Sequence, residues 1–504
     1  MNGHASSFTP RLAAGLLGIF LAAMMAGLNN RVGALALGDV RGALGFGSDA
    51  ASWLSTAYAA GELIAMPFAA WFAAAFSLRR FHLLMLAACA TFAAILPFVG
   101  HLGLMIALRF LQGLTTGTLI PLLMAAALRF LPLSIRLYAL ALYAMTATFA
   151  PNVAIWLTGL WADHIVDLRL VYWQVIPLAL LAAALVAWGI PQDASQPERF
   201  KHGNWFGMCF GSIGLGLIAV GIDQGNRLEW FDSGLIVCAL LAGLACFTVY
   251  LLSEWYHTAP FIKLQLLQRR NLGLGFTIFF TLLVVFQSGS LVPITHLGRI
   301  WDYRALQSAP IGLIIGLPQL LLSPLVSLAL YQRWVDARHV MAAGLGLIAV
   351  ACFQGSRLNA EWMAHQFLDV QLLQAFGQPM AVVAMLFLST SVVKPAEGPY
   401  VAGTVNTLRG LGTLVGAGLV GRILQLRERF HSEMLLDSVG RFQGSDPVAW
   451  SMPSLTHEVS RQSSVLATAD AYRILGSIAL LLIPCALMLQ HIPAPQVHAS
   501  SSIR

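Results

Sequence analysis

Residues 103–128 read GLMIALRFLQGLTTGTLIPLLMAAAL, and the only formal charge among them is Arg109. At 1.5 Å per residue a helix of this length extends about 39 Å, more than the ~30 Å hydrocarbon core of a bilayer. The run therefore reads as a helix that crosses a membrane. Stretches of the same kind lie to either side, near 12–37, 50–76, 81–99, 136–161 and 170–190. A polar linker from Gln192 to Asn204 follows. Further runs lie near 205–222, 233–253, 272–296, 307–330, 339–355, 366–391, 398–424 and 472–490. The expectation is an all-α polytopic membrane protein with about fourteen spans.

Composition agrees with this reading. The chain is 58% apolar and only 10% charged over 504 residues, whereas a soluble domain carries roughly a quarter charged residues. So little polar residue cannot cover so large an apolar core, and lipid must be the solvent for most of the surface. The net charge of +7 could suggest nucleic acid, but the basic residues form no patch. They stand singly or in pairs between apolar runs, as orientation charges do. Arg11 and the apolar run after it resemble a signal peptide. The apolar character resumes after Asn29-Asn30-Arg31, so the segment reads as an uncleaved first span. The six cysteines lie in apolar stretches without metal-ligand spacing and read as packing residues. No cofactor or metal is expected.

Lysine and arginine set the orientation. With both termini inside, inner segments hold Arg11, Arg79, Arg80, Arg129, Arg136, Arg199, Lys201, Lys263, Arg269, Arg270, Arg333, Arg338, Lys394 and Arg504. The short outer loops hold only Arg41, Arg169, Arg227, Arg299, Arg304 and Arg357. Residues 425–471 are charged and amphiphilic, and are expected to form a long outer loop with a short helix.

Ionisable groups at lipid depth cost several kcal/mol and face a partner or a wet cavity. Arg31, Glu62, Arg109 and Arg409 are the candidates. A structural ion pair, or snorkelling to an interface, is the competing reading for the arginines. Glu62 is too short and too deep to snorkel easily. Counted from the first outer loop, Arg31 would lie about 9 Å deep and Glu62 about 18 Å. Span 13 carries Gly403, Gly410, Gly412, Gly416, Gly418 and Gly421, which read as close-packing positions. Pro67, Pro121, Pro151, Pro293, Pro318 and Pro324 can kink spans.

Arg109, Gln112, Gly113 and Gly117 together resemble the R-x-x-Q-G motif in span 4 of the major facilitator superfamily. Asn204 to Met208, Ile222-Asp223-Gln224-Gly225, Glu229-Trp230-Phe231, Pro260 to Leu264 and Ser308 to Gly312 resemble its fourteen-span drug:proton antiporter branch. Within that branch they are similar to EmrB-like multidrug efflux pumps. The resemblance implies two six-helix bundles (1–190 and 271–504) with two extra helices between them (191–270).

It implies a proton-coupled exporter of amphipathic small molecules in the bacterial inner membrane. A periplasmic adaptor and an outer-membrane channel would be its partners. Three departures stand out. The family's span 1 aspartate falls on Asn29. The inner loop motif between spans 2 and 3 keeps only its basic end, Arg79-Arg80. The span 5 motif reads Ala150-Pro151, then Ala154 and Thr158-Gly159.

Glu62, Arg31 and Arg109 are the expected proton-coupling groups. Asn29, Gln112, Gln371, Gln374, Asn406 and Arg409 are expected to line an apolar, aromatic-rich cavity. Gly113, Gly117, Pro151, Gly412 and Gly416 are expected to serve packing or motif roles. Two alternatives share the fold: a dedicated exporter of one endogenous metabolite, such as a siderophore or an organic or fatty acid, and a non-transporting sensor. A membrane-embedded enzyme would need a metal cluster or paired catalytic carboxylates, and the sequence offers neither.

Overall fold

The computed structural model describes residues 9–442 and 452–494, and every regular element among them is helical. The first part runs α1 (Pro10–Leu35), α2 (Ser48–Ala65), α3 (Ala69–Phe76), α4 (Leu78–Ile95), α5 (Leu102–Phe130), α6 (Leu133–Thr148), α7 (Ala150–Gly159) and α8 (Val175–Gly189). Then come α9 (Trp205–Gly225) and α10 (Gly234–Tyr256). The last part holds α11 (Arg270–Val285), α12 (Leu291–Trp301), α13 (Ala305–Gly316), α14 (Gln319–Leu330), α15 (Ala337–Gly355), α16 (Leu368–Thr390), α17 (Gly398–Phe442) and α18 (Met452–Leu487).

Among the described residues, eleven helices are long and apolar enough to cross a membrane, or thirteen if the bent pairs α2–α3 and α6–α7 each count once. That falls one short of the expected fourteen. The missing span, 398–424, lies in α17, where Arg409, Arg422 and the glycines dilute the apolar character.

Local chemistry sets the helix ends and bends. Thr9 caps α1, its hydroxyl accepting from the Leu12 amide at 3.3 Å, with Pro10 at the first helical position. The 58° bend between α2 and α3 falls at Met66-Pro67-Phe68, and the 43° bend between α6 and α7 falls at Phe149, just ahead of Pro151. Proline lacks the amide that a continuous helix needs there and clashes with the preceding turn.

Glycines allow the closest packing. α2 lies backbone to backbone on α5: a Cβ on Gly117 would sit 2.7 Å from the Glu62 Cα, and one on Gly61 2.9 Å from the Leu114 nitrogen. α17 is the seam of the molecule. Its Gly403 and Gly410 meet Pro67 and Met66 near the α2–α3 bend, Gly418 meets Ile222 of α9, and Gly412 and Gly416 meet α11 at Phe280 and Val284.

The 2–3 loop shows what replaced the missing part of its motif. Ser77 stands at φ 87°, backbone that favours glycine. Its hydroxyl accepts from the Gln192 amide at 3.0 Å, and the Ala75 carbonyl accepts from the Gln196 amide at 2.8 Å. Trp71 packs edge-on against Phe200, Trp205 and Phe261 at 5.4, 5.6 and 4.9 Å between centroids. The linker is therefore docked on the loop by rings rather than charges. On the last part of the chain, both terminal nitrogens of Arg269 donate to the Glu397 carboxylate at 2.7 Å. That paired donation holds the Glu397 carboxyl at about 2, well below the ordinary range.

The segment 425–471 differs from its expectation as a long loop. α17 continues unbroken to Phe442, and α18 already begins at Met452. The charges that suggested a loop instead tie the two helices together. The Arg427 Nε donates to Asp470 at 2.6 Å, and His431 Nε2 lies 2.7 Å from the same carboxylate oxygen. Arg473, one turn along α18 from Asp470, donates to its other oxygen at 3.0 Å.

Candidate functional site: a charged central cavity

A cavity of about 210 Å³, with Pro151 on its lining, is walled by α1, α2, α5, α6, α7, α9, α11, α16 and α17. Four charged residues line it: Arg31, Glu62, Asp223 and Arg409. Phe286 is its one aromatic lining residue. The wall is otherwise largely apolar, with Leu63, Met66, Ile120, Leu283 and Leu414 among its residues, and α1, α2, α9 and α17 set the charges into it.

Glu62 is 7% exposed, and the Asn30 side-chain amide donates to its carboxylate. Arg31 is the next residue along α1, half-buried, with no partner for its buried Nε. The depth expected for Arg31 needs correction. α1 runs to Leu35, and a further short helix covers Leu37–Leu44. The turn between α1 and α2 therefore lies at about residue 45. Asn30, the residue next to Arg31, donates to Glu62 from the facing helix, which puts Arg31 within one residue's rise, about 1.5 Å, of that contact. They share a level.

Arg409, also 7% exposed, reaches across to α6, where it donates to the Thr146 hydroxyl and, at 2.5 Å, to the Thr146 carbonyl. Its guanidinium is 5.9 Å from the Tyr143 ring. Neither Glu62 nor Arg409 has an ion pair among the described residues. Two buried opposite charges thus face one cavity, each held by neutral partners.

The remaining candidates lie behind this wall. Arg109 is 2% exposed, donates to the Gln112 carbonyl oxygen at 2.7 Å and covers the Tyr58 ring at 4.3 Å. Gly33 leaves room for the guanidinium, since a Cβ there would meet it at 2.6 Å. Tyr58 accepts from the Asn29 amide at 3.1 Å and shares a 2.7 Å hydrogen bond with Thr116. Arg109, Gln112 and Asn29 therefore form one network between α1, α2 and α5, centred on Tyr58, one turn along α2 from Glu62.

Gln374 donates to Ser288 at 2.9 Å and accepts from Gln378, which does line the cavity, at 3.2 Å. Asn406 accepts from the Tyr143 hydroxyl at 2.9 Å. Gln371 is fully buried, and neither atom of its amide has a partner among the described residues.

Sequence reasoning passed over Asn30, Thr146, Asn152, Asp223, Gln287 and Gln378, all of which line the cavity. Asp223 carried a signal, since it is an acid at the very end of an apolar run. Asn30, beside Arg31, carried one too.

Arg109→Ala should lower transport more than tenfold while the protein still inserts. Gln112 would lose its donor inside the protein, at about 1–3 kcal/mol for a stranded buried group. Arg109→Lys should rescue poorly, because the planar fork is lost. A fully active alanine variant, measured alongside membrane yield, would sink this expectation.

Residues 19–300 match the sequence profile of the Major Facilitator Superfamily. The chain belongs to that superfamily. This Major Facilitator protein is accordingly a multi-pass membrane transporter whose surroundings are lipid and whose cargo is a small molecule.

It is 24% identical to the "Probable multidrug resistance protein EmrY" of Escherichia coli (strain K12) over 491 residues, covering 93% of each chain. It is also 24% identical to the "Fatty acid resistance protein FarB" of Neisseria gonorrhoeae over 429 residues, 82% of this chain and 81% of that one. To the "Multidrug export protein EmrB" of Escherichia coli (strain K12) it is 23% identical, covering 84% of this chain and 83% of that one.

Among solved structures, the human organic anion transporter MFSD10 (TETRAN) superposes with a TM-score of 0.58 at 12% identity, covering 95% of this chain and 100% of that one. The proton:xylose symporter XylE gives 0.56 at 11%, covering 96% and 97%. At such identities the likeness establishes the fold alone.

Proposed function

We propose that the protein exports amphipathic small molecules across the bacterial inner membrane in exchange for protons. One observation carries this reading: Glu62, a buried carboxylate without an ion pair among the described residues, opens into the cavity at the level of Arg31. Burial favours the neutral acid, while an approaching guanidinium favours the carboxylate. A movement that changes the distance between Glu62 and its arginines would therefore load or discharge a proton. This supplies the difference between states that coupling requires.

Protein reconstituted in liposomes should move cargo when a pH gradient is imposed and stop when the gradient is collapsed. Cargo movement that ignores the gradient would overturn proton coupling. The Lys/Arg distribution supports cytoplasmic termini and a cytoplasmic 192–204 linker. In cells, an Ala194→Cys variant should react with an impermeant thiol reagent from the cytoplasmic face only.

A periplasmic adaptor, leading to an outer-membrane channel, would meet the protruding ends of α17 and α18. Leu426, Phe430 and Met434 stand exposed there. Photo-cross-linking from Met434 tests that contact.

The unpartnered Nε of Arg31 supports a second reading, a dedicated exporter of one anionic metabolite. A narrow, anion-only substrate range in the same liposomes would favour it.

A further inference from the structure

The cavity holds a second carboxylate that proton coupling does not use. Asp223 comes from α9, the first of the two helices that follow the first six spans, and it lines the cavity with Ser55 and Ala59 of α2. The Thr56 hydroxyl donates to one of its oxygens at 2.5 Å. The Gln224 amide donates to that same hydroxyl at 2.5 Å, and the hydroxyl's one proton has Asp223 as its nearer acceptor, the Ser52 carbonyl lying at 3.2 Å. Arg227, the nearest cation along α9, is turned elsewhere: it donates to Gln224 at 2.6 Å and lies 3.5 Å from Asp49. Among the described residues Asp223 has no cationic partner. It is an oriented carboxylate that keeps one oxygen for the cavity.

Its height in the cavity is set by its neighbours. Thr56 precedes Glu62 by six residues on α2, about 9 Å along the helix. Ile222, beside Asp223, packs against Gly418 of α17. Gly418 lies nine residues beyond Arg409, about 14 Å along that helix. Negative charge thus stands at one end of the cavity, and the Arg409 guanidinium at the other, with Glu62 and Arg31 between. An amphipathic molecule with a basic nitrogen fits the Asp223 end. Such a group replaces lost hydration with one charge-assisted hydrogen bond, roughly twice as strong as a neutral one.

We propose that Asp223 is the cargo-recognising carboxylate for basic groups, and hence that α9 forms part of the transport site rather than a spacer between the two halves. This rests on the export reading above. It is tested with full-length protein in liposomes and two probes: ethidium, a permanent cation, and laurate, an anionic amphiphile. Asp223→Asn keeps the size and an acceptor for Thr56. It should lower the ratio of ethidium to laurate transport at least tenfold, with a matching loss of ethidium binding to the purified protein. Asp223→Glu should restore the ratio. An unchanged ratio in Asp223→Asn, or a wild-type protein that moves laurate but not ethidium, overturns the proposal and leaves export intact. A wild-type protein that moves neither probe overturns both.

Discussion

Glu62→Gln should yield a protein that inserts, folds and binds cargo, yet accumulates none of it against a gradient. Glutamine keeps the length and shape of the side chain and leaves an oxygen for the Asn30 amide. Only titration is removed. Under an imposed pH gradient, cargo movement should fall by two orders of magnitude or more, while exchange of cargo for cargo without a gradient persists. If the Glu62→Gln variant keeps the pH dependence of the wild type, the proton travels by another group. Asp223 would then be the first to examine, since it is the other carboxylate in the cavity. A merely structural role for Glu62 predicts a different outcome, loss of folded protein together with loss of both activities.

Gly117→Val should be nearly as damaging, for a reason unrelated to charge. A Cβ at position 117 would lie 2.7 Å from the Glu62 Cα, so a branched side chain must push α2 away from α5. Overpacking of this kind costs about 1–3 kcal/mol or more. It would displace the segment that aims Glu62 into the cavity. The variant should melt at lower temperature in detergent and transport at under a tenth of the wild-type rate. Gly346→Ala is the control, because nothing lies within 4 Å of its added carbon. In that helix interior alanine should be neutral or stabilising by up to about 1 kcal/mol. Equal thermal stability of Gly117→Val and wild type would refute the close approach of α2 and α5.

The fold was legible because lipid imposes a length and a composition on every crossing. Residues 103–128 announced α5, and Pro67 and Pro151 announced the two bends. One feature escaped for a physical reason. The charges between 425 and 471 were read one residue at a time, whereas Arg427, His431 and Asp470 pair between two helices. Pairing across a hairpin has no signature along one strand of sequence. The site was partly legible. Charge at lipid depth singled out Glu62, Arg31 and Arg409, all of which line the cavity. It also singled out Arg109, whose network turns away from it. Which face a helical residue presents depends on rotation about the helix axis, and neighbouring helices set that rotation. The same rotation brought Asn30 and Asp223 inward while turning Asn29 toward Tyr58.

α17 spans 45 residues without a break. At 1.5 Å per residue it is about 68 Å long, more than twice the ~30 Å hydrocarbon thickness of a bilayer. The Arg427–Asp470–His431 ties splint its C-terminal portion to α18. A rigid rod pivoting near Arg409 would act as a lever arm, with some 33 residues, or about 50 Å, between the pivot and Phe442. A rocking of 10° at the cavity would swing the far tip by roughly 9 Å over that length. Each turnover at the buried charges would thus be written large beyond the membrane, as a sweep of the helical hairpin.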